Sequence, residues 1–208
     1  RVPVLAGVID TATDRVIALA RAAQSAGVDA VVATAPFYAR TSQPEIVDHF
    51  RYLREALEVP VIAYDIPVCV HIKLERSTIS TLAREGAIAG LKDSSGDDGS
   101  FRYVLADTAG LPDFFAMTGS EIVVDSMCQA GDLAGARREQ ERLCKLFEIV
   151  WLGLPRISAG SAGVGAFKTA MRSLGIIETN TLARPQRALN GEETARLDAI
   201  LRATGLLE

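Results

Sequence analysis

The sequence predicts an α/β fold in which short buried strands alternate with helices, followed by a helical C-terminal part. Five apolar runs recur 27 to 30 residues apart, and each is of strand length without alternation in polarity, which is typical of strands buried on both faces. The runs are VPVLAGV from Val2, AVVATAP from Ala30, PVIAYDIP from Pro60, AIAGLKDSS from Ala87 and FFAMTGSE from Phe114. Helical patterns with short loops connect them, which indicates a parallel sheet with right-handed crossovers.

The first two connecting helices have readable ends. Thr11 followed by Asp14 predicts an acidic variant of a capping box, and Gly27 is a suitable residue to end that helix. Ser42 with Glu45 predicts a second capping box, ahead of an amphipathic stretch with one apolar face. The strand and helix patterns therefore agree on βα units.

The remaining helical patterns differ before and after the fifth apolar run. Ser77 opens a third connecting helix that Gly86 ends, and Phe101 to Ala109 forms a fourth. From Ser126 onward no further strand pattern is visible, and the chain is predicted to be helical over 126–150, 163–174 and 191–204. The predicted organisation is a βα-barrel portion at 1–125 and a last barrel helix with a helical extension at 126–208.

Composition excludes several classes of function. The net charge of −4 and the pI of about 5.3 show no electrostatic footprint for nucleic acid, and no apolar run approaches the ~20 residues of a membrane helix. Three scattered cysteines argue against a disulfide scaffold and a zinc site, and they favour a cytoplasmic protein. His49 is expected to be exposed on the second helix and His71 to lie in a loop, without metal-ligand spacing.

Lys92 is the most informative residue, because it interrupts the otherwise apolar fourth strand. A lysine held in an apolar interior is desolvated, which favours the uncharged amine that can attack a 2-oxo acid to form an imine. The protonated imine is an electron sink for making or breaking the neighbouring carbon–carbon bond. The alternative interpretation is a structural lysine that pairs with Asp93 or extends toward solvent at the strand end.

Tyr64 lies near the end of the preceding strand, so its phenol is expected within reach of Lys92. It can relay protons during imine formation and bond cleavage, although a buried strand tyrosine is otherwise a core residue with one hydrogen bond. The same end of the sheet, where parallel βα folds place their active sites, collects Tyr38, Ser94, Ser95, Gly119 and Glu121.

Four motifs at these spacings resemble the dihydrodipicolinate synthase and N-acetylneuraminate lyase family: APFY, YDIP and GLKDSSGD, followed by TGSE. The resemblance implies a (β/α)8 TIM barrel with a C-terminal helical extension, acting on pyruvate or a related 2-oxo acid without metal or organic cofactor. It makes Lys92 the Schiff-base lysine and Tyr64 the catalytic tyrosine. It also implies a homo-oligomer, a dimer or tetramer, in which Tyr38 contributes across a subunit interface.

The resemblance bears on the number of strands. Five βα units are too few to close an eight-stranded barrel, and periodicity alone does not decide between an open and a closed sheet. By comparison with the family, two strands are expected before Arg1, and the eighth is expected between Asp125 and Ser126. We therefore expect strands to be missing from this sequence, with a seam at Asp125 and Ser126.

Two positions depart from the family pattern near Tyr64. The lysine-biosynthesis members place an arginine five residues after the catalytic tyrosine to hold a second carboxylate, and here that residue is Cys69. Asp65 replaces the usual asparagine and is expected near the mouth, where it disfavours an acidic aldehyde or binds a hydroxylated one. The absence of that arginine argues against dihydrodipicolinate synthase activity itself.

The sequence leads to one principal hypothesis with two alternatives. The principal hypothesis is a lyase that performs aldol cleavage, aldol condensation or dehydration through an imine at Lys92, with Tyr38, Asp65, Ser94, Gly119 and Glu121 binding substrate. One alternative is a non-catalytic ligand-binding or regulatory member of the same barrel family. The other is an open nucleotide-binding domain, which would need a glycine-rich turn after the first strand, where the chain reads GVIDTAT instead.

Overall fold

The computed structural model describes residues 2–120 and 133–208. The chain divides into two compact units, Arg1–Ser120 and Glu121–Glu208. The seam predicted at residues 125 and 126, and with it the exact boundary between the predicted parts, lies outside the described residues.

The first unit contains a five-stranded sheet in which all strands are parallel and neighbours in sequence are neighbours in space. The strands are β1 (Leu5–Gly7), β2 (Ala30–Ala33), β3 (Val61–Asp65), β4 (Gly90–Asp93) and β5 (Phe115–Thr118). Each of the five predicted apolar runs contains one of them. The strands are ordered as in the sequence because each short right-handed crossover places the next strand beside the previous one.

Five helices connect or follow these strands. They are α1 (Thr13–Ser25), α2 (Gln43–Ala56), α3 (Pro67–Val70), α4 (Arg76–Arg84) and α5 (Asp98–Thr108). The capping box of Ser42 and Glu45 is confirmed at the start of α2. The cap predicted at Thr11 is wrong: the N-cap of α1 is Ala12, and the Thr11 hydroxyl donates to Asp10 instead. Helix α4 begins one residue before the predicted Ser77.

The core of the first unit lies between the helices and one face of the sheet. On that face Val31, Ala63 and Leu91 are completely buried, and Phe50 and Leu53 are buried on α2, which packs against β3. Each large apolar side chain transferred from water in this way contributes about 1.5–3 kcal/mol to folding. Because this burial fixes which face of each strand meets the helices, it also fixes which residues point to the opposite face.

The second unit is helical and has its own core. Its elements are α6 (Leu133–Phe147), a 3-10 turn (Glu148–Trp151), α7 (Ala159–Ser173) and α8 (Gly191–Ala203). Ile149, Ala162, Leu197 and Leu201 are buried together. Helix α7 begins four residues earlier than the predicted start at 163, because the Ser158 hydroxyl caps it by accepting from the Ser161 amide. Within the described residues, no helix has the length and apolar character needed to cross a membrane.

His49 is buried in the first unit, so the prediction that it is exposed is wrong. Its side chain is 2% exposed on α2, and its Nδ1 lies 2.9 Å from the Thr13 hydroxyl of α1. Burial lowers the pKa of His49 to about 4, and the nearby main chain of Thr34 opposes that shift. Its Nε2 makes no hydrogen bond of good geometry. A protonated ring here would be a desolvated charge, so the folded state favours neutral imidazole.

We expect His49 to make the folded state lose stability in mild acid. Its pKa is about 4 when folded against 6.5 as a free side chain, so the unfolded state binds the proton first. The contribution of neutral His49 to the free energy of unfolding is fully present above pH 6.5 and declines as the pH falls toward 4. Because one pKa unit corresponds to about 1.4 kcal/mol, the total loss is up to about 3 kcal/mol. Urea unfolding at pH 7.0 and pH 5.0 measures it.

The control for this measurement is the exposed His71. His49→Gln should show a smaller loss of unfolding free energy between pH 7.0 and pH 5.0 than the wild type, whereas His71→Gln should follow the wild type. An unchanged pH dependence in His49→Gln would show that burial of this ring is not the cause.

Candidate active site

Lys92 and Tyr64 are direct partners across two neighbouring strands. The register of β3 and β4 pairs Tyr64 with Lys92, and the Lys92 Nζ lies over the tyrosine ring, 4.2 Å from its centroid. Both side chains are half-buried. Among the residues that the structure describes, no carboxylate forms an ion pair with Lys92, and Asp93 in particular does not pair with it. Lys92 is therefore not a structural lysine that pairs with Asp93.

Apolar side chains lie beside Tyr64 and Lys92 on the same face of the sheet. In β5, Met117 is the register partner of Lys92, and Phe115 is the partner of Gly90 one step down the strand. The Phe115 ring covers Gly90 so closely that a Cβ at position 90 would lie 2.6 Å from a ring carbon. Glycine at this position thus leaves room for the far edge of the Phe115 ring against β4. The Lys92 amine consequently extends from an apolar surface rather than from a polar one.

Asp65 and Asp93 lie on the opposite face of the sheet from Tyr64 and Lys92. Successive residues of a strand point to opposite faces, and the register pairs these two aspartates with each other directly beyond the Tyr64 and Lys92 pair. Both are buried, with 1% and 5% of their surface exposed. Asp65 was expected to bind substrate near the mouth. The structure does not bring its carboxylate together with Lys92.

A lysine that the sequence analysis did not single out holds these two aspartates. The Lys73 Nζ donates to the Asp65 Oδ2 at 2.5 Å and to the Ser95 hydroxyl at 3.0 Å, and it lies 3.9 Å from the Asp93 Oδ2. The Leu74 amide donates to the other Asp65 oxygen at 3.1 Å. Burial raises the pKa of Asp65, while the Lys73 and Leu74 hydrogen bonds oppose the increase and the nearby charge of Asp93 adds to it.

Ser94 and Gly119 stand where β4 and β5 end. The Ser94 amide donates to the Asp65 carbonyl at 2.8 Å, and the Gly119 amide donates to the Asp93 carbonyl at 2.6 Å. A Cβ on Gly119 would lie 2.1 Å from the Ser94 hydroxyl oxygen and 3.2 Å from the Asp93 carbonyl oxygen. The structure thus brings these two predicted residues into contact beside the carboxyl ends of the strands.

Of the remaining predicted substrate-binding residues, Tyr38 is not brought to Lys92. Tyr38 is 94% exposed and has a left-handed backbone with φ of 78°, which non-glycine residues rarely adopt. Its ring therefore extends away from the sheet into solvent. Glu121 lies outside the described residues, so its placement stays a prediction.

A cavity of about 430 Å³ lies at the other end of the strands. Arg54, Arg84, Glu85 and Phe114 are among the residues that line it, close to where β3, β4 and β5 begin. Parallel βα folds place their chemistry at the carboxyl ends of the strands instead, so we assign the candidate active site to the Lys92 end. No cluster of three metal-binding side chains is found within residues 2–120 and 133–208.

The arrangement around Lys92 is suited to imine chemistry. A primary amine adds to the carbonyl carbon of a 2-oxo acid to give a carbinolamine, which loses water to form the imine. The adjacent phenol is the described group best placed to move the proton that this dehydration requires. A salt bridge would hold the amine in its non-nucleophilic ammonium form, and none with a described carboxylate is present.

Comparison with known proteins agrees with this geometry. The sequence model of the dihydrodipicolinate synthetase family matches residues 1–136, which confirms the resemblance seen in the motifs. The 4-hydroxy-tetrahydrodipicolinate synthase of Roseobacter denitrificans is 30% identical and matches 100% of this chain. The 4-hydroxy-tetrahydrodipicolinate synthase of Hyphomonas neptunium is 28% identical and matches 99% of this chain. In both cases the match covers 76% of the relative's own length.

Solved structures agree on the fold. YagE, a prophage protein of the dihydrodipicolinic acid synthase family from E. coli K12, superimposes with a TM-score of 0.86 at 21% identity, over 99% of this chain and 76% of its own. The predicted fold class, a (β/α)8 barrel with a C-terminal helical extension, is confirmed by this likeness, and the five βα units are a portion of that barrel.

We expect Gly119→Ala to destabilise the strand ends, because the new methyl group meets the Ser94 hydroxyl and the Asp93 carbonyl. Overpacking of this kind costs about 1–3 kcal/mol, which thermal or urea unfolding detects. Adding Ser94→Ala removes the nearer of the two contacts and should restore part of the lost stability. A double variant no more stable than Gly119→Ala would show that the Ser94 hydroxyl is not the obstacle.

Proposed function

Because the chain belongs to the dihydrodipicolinate synthetase family, we propose that it is a class I aldolase-type lyase that acts on pyruvate or a related 2-oxo acid. In this proposal Lys92 forms an imine with the substrate carbonyl, and the reaction is an aldol cleavage, an aldol condensation or a dehydration. The observation that carries the proposal is the contact of the Lys92 amine with the Tyr64 ring, 4.2 Å from its centroid, on two strands in register.

The mechanism begins with the amine in its uncharged form. The nitrogen attacks the 2-oxo carbon, the carbonyl oxygen takes up protons and leaves as water, and the iminium remains on Lys92. The iminium draws electrons from the adjacent C3 position, so a C3 proton, or a C3–C4 bond in the cleavage direction, is lost to give an enamine. In a condensation the enamine carbon adds to an aldehyde, whereas after a cleavage it takes up a proton. Hydrolysis of the resulting iminium then returns free Lys92.

Tyr64 supplies proton transfer in this scheme. A phenol beside the imine nitrogen can protonate the departing oxygen of the carbinolamine and recover a proton later in the cycle. In a condensation the same group can protonate the alkoxide that forms from the aldehyde. The support for this role is its position, because the described residues place no other phenol or carboxylate on the Lys92 face of β3 and β4.

The remaining site residues concern substrate choice and assembly. Cys69 lies exposed on α3, at the place where the resemblance expects an arginine for a second carboxylate. That exchange supports an aldehyde partner without a second carboxylate. Ser94 and Gly119 are proposed to contact substrate at the strand ends. The exposed Tyr38 is proposed to contact a second copy of the chain.

The likeness to other proteins supports a small 2-oxo acid as the electrophile. The solved structure of YagE contains pyruvate, and pyruvate has the ketone that an imine-forming lysine attacks. No metal ion or organic cofactor takes part in the proposed steps. The enzyme is proposed to act in the cytoplasm.

We expect the full-length protein to form a covalent adduct when it is incubated with pyruvate and reduced with borohydride. Intact mass spectrometry should show the gain of one reduced pyruvyl group, and peptide mapping should place it on Lys92. Lys92→Met should abolish both the adduct and turnover, because no other described lysine lies on that face of the sheet. Lys145→Met is the matched control, since Lys145 is exposed on α6 and pairs only with Glu148 among the described residues.

An adduct that persists in Lys92→Met would overturn the assignment. Absence of any adduct in the wild type, with pyruvate and with bulkier 2-oxo acids, would favour the ligand-binding alternative. These two results differ because the first concerns which lysine reacts and the second concerns whether imine chemistry occurs.

We expect Tyr64→Phe to lower kcat by about 100- to 10,000-fold, which is the usual range for loss of a general acid–base group. The fold should be retained, because the ring and its contact with Lys92 remain. Steady-state kinetics and the rate of borohydride trapping measure the effect. Tyr52→Phe, which alters a phenol 54% exposed on α2, is the control, and equal rates in the two variants would exclude proton transfer by Tyr64.

A further inference from the structure

Lys73 lies behind the candidate active site, on the face of the sheet opposite to Lys92. It follows α3 in the segment that leads to α4, and its side chain is about 30% exposed. It reaches across the end of β3 to β4, where it contacts Asp65, Ser95 and Asp93. We call Lys73, Asp65, Asp93 and Ser95 the strand-end cluster.

We infer that Lys73 is a positioning residue, whose charge holds the ends of β3 and β4 together so that Tyr64 and Lys92 remain in contact. This inference rests on the proposed function, since it concerns the same pair. Its basis is geometry: each member of the reactive pair is followed in sequence by one of the two aspartates that Lys73 binds.

The register of β3 and β4 brings two carboxylates together, which repel each other. Asp65 and Asp93 are direct cross-strand partners and both are buried. Like charges opposite each other in a sheet oppose pairing, and burial strengthens the repulsion because water screens it less. Without a cation between them, the carboxylates would favour separation of the strand ends or protonation of one group.

Among the described residues, Lys73 is the only cation that pairs with the Asp65 carboxylate. The Asp65 carboxylate accepts from the Lys73 amine and the Leu74 amide, and the Asp93 carboxylate accepts from the Ser95 amide at 2.8 Å. The Ser95 hydroxyl, the remaining member, accepts from the Lys73 amine. Removing one partner of a buried charge pair leaves the other uncompensated, which is strongly unfavourable.

The backbone around Lys73 is itself anchored. The Gln43 side chain at the start of α2 donates to the Lys73 carbonyl at 2.8 Å and accepts from the Glu75 amide and the Thr78 hydroxyl. The ammonium group is therefore presented from a fixed segment rather than from a free loop. An anchored cation can determine where two strand ends lie, whereas a mobile one would only neutralise charge.

Displacement of the strand ends would change the geometry of the Tyr64 and Lys92 pair. Tyr64 and Lys92 immediately precede the two aspartates, so a movement of either strand end changes the distance between the ring and the amine. Misplacement of reacting groups by about 1 Å can lower a rate by about 100-fold. Substrate affinity depends less on this distance, because binding of the 2-oxo acid precedes the proton transfers.

The test compares Lys73→Met with Lys73→Arg and with the double variant Lys73→Met/Asp65→Asn in the full-length protein. Lys73→Met should lower kcat for the 2-oxo acid reaction, and the rate of borohydride trapping with pyruvate, by about 10- to 100-fold. KM should change by less than about 3-fold. Lys73→Arg keeps the cation and should retain most of the rate.

The double variant separates positioning from other roles. Replacing Asp65 with asparagine removes one of the two repelling charges, so the double variant should recover a large part of the kcat that Lys73→Met loses. All rates are measured well below the thermal midpoint of each variant. Lys168→Met, which loses a lysine contact with the Thr181 carbonyl in the second unit, is the matched control and should behave as the wild type.

Either of two kinetic results would overturn the inference. One is an unchanged kcat and trapping rate in folded Lys73→Met, which would limit Lys73 to stability. The other is a double variant no faster than Lys73→Met, which would show that charge repulsion is not what Lys73 relieves.

A crystal structure of Lys73→Met keeps this test separate from that of the proposed function. Loss of the contact between the Lys92 amine and the Tyr64 ring supports the positioning role, and a contact preserved at its present distance contradicts it. Failure of the wild type to trap pyruvate or any larger 2-oxo acid would reject the imine mechanism, while the structure would still decide whether Lys73 holds the pair.

Discussion

The register between β3 and β4 is the constraint on which the candidate site depends. Side chains alternate between the two faces of this parallel ladder, so two consecutive cross-strand pairs lie on opposite faces. Tyr64 and Lys92 lie on one face, and Asp65 and Asp93 lie on the other. A slip of one residue in either strand would exchange the faces of that strand and separate the pair. The register is itself held by burial, since Ala63 and Leu91 are completely enclosed on the helix side. Packing on the helix side of the sheet thus positions Tyr64 and Lys92 on the other side.

The sequence predicted those features of the fold that depend on local pattern. The regular spacing of apolar runs located all five strands, and the Ser42 capping box located the start of α2, because both signals arise from residues close together in the chain. The adjacency of Tyr64 and Lys92 was also predictable, because neighbouring strands that end at one edge bring their last residues together.

The features that the sequence did not predict depend on contacts between distant segments. His49 has the sequence context of an exposed helical residue, yet it is buried and its Nδ1 lies 2.9 Å from the Thr13 hydroxyl of α1. Asp65 follows Tyr64 directly, so proximity in sequence suggested a shared site, but the alternation of the strand sends its carboxylate to the other face. Lys73 carries no motif, and its importance depends on two aspartates eight and twenty residues away that only the folded sheet brings together.

The division of charge between the two faces has a chemical consequence for Lys92. Asp93 is next to Lys92 in sequence, and a carboxylate paired with the amine would stabilise the ammonium form, which is not nucleophilic. The strand geometry instead directs Asp93 toward the helix side, where Lys73 and the Ser95 amide engage it. One lysine therefore compensates the buried acids while the other meets an aromatic ring and apolar side chains. The same alternation of the strand leaves the Lys92 amine without a described carboxylate partner. Such a partner would favour the ammonium form, which cannot attack a 2-oxo acid.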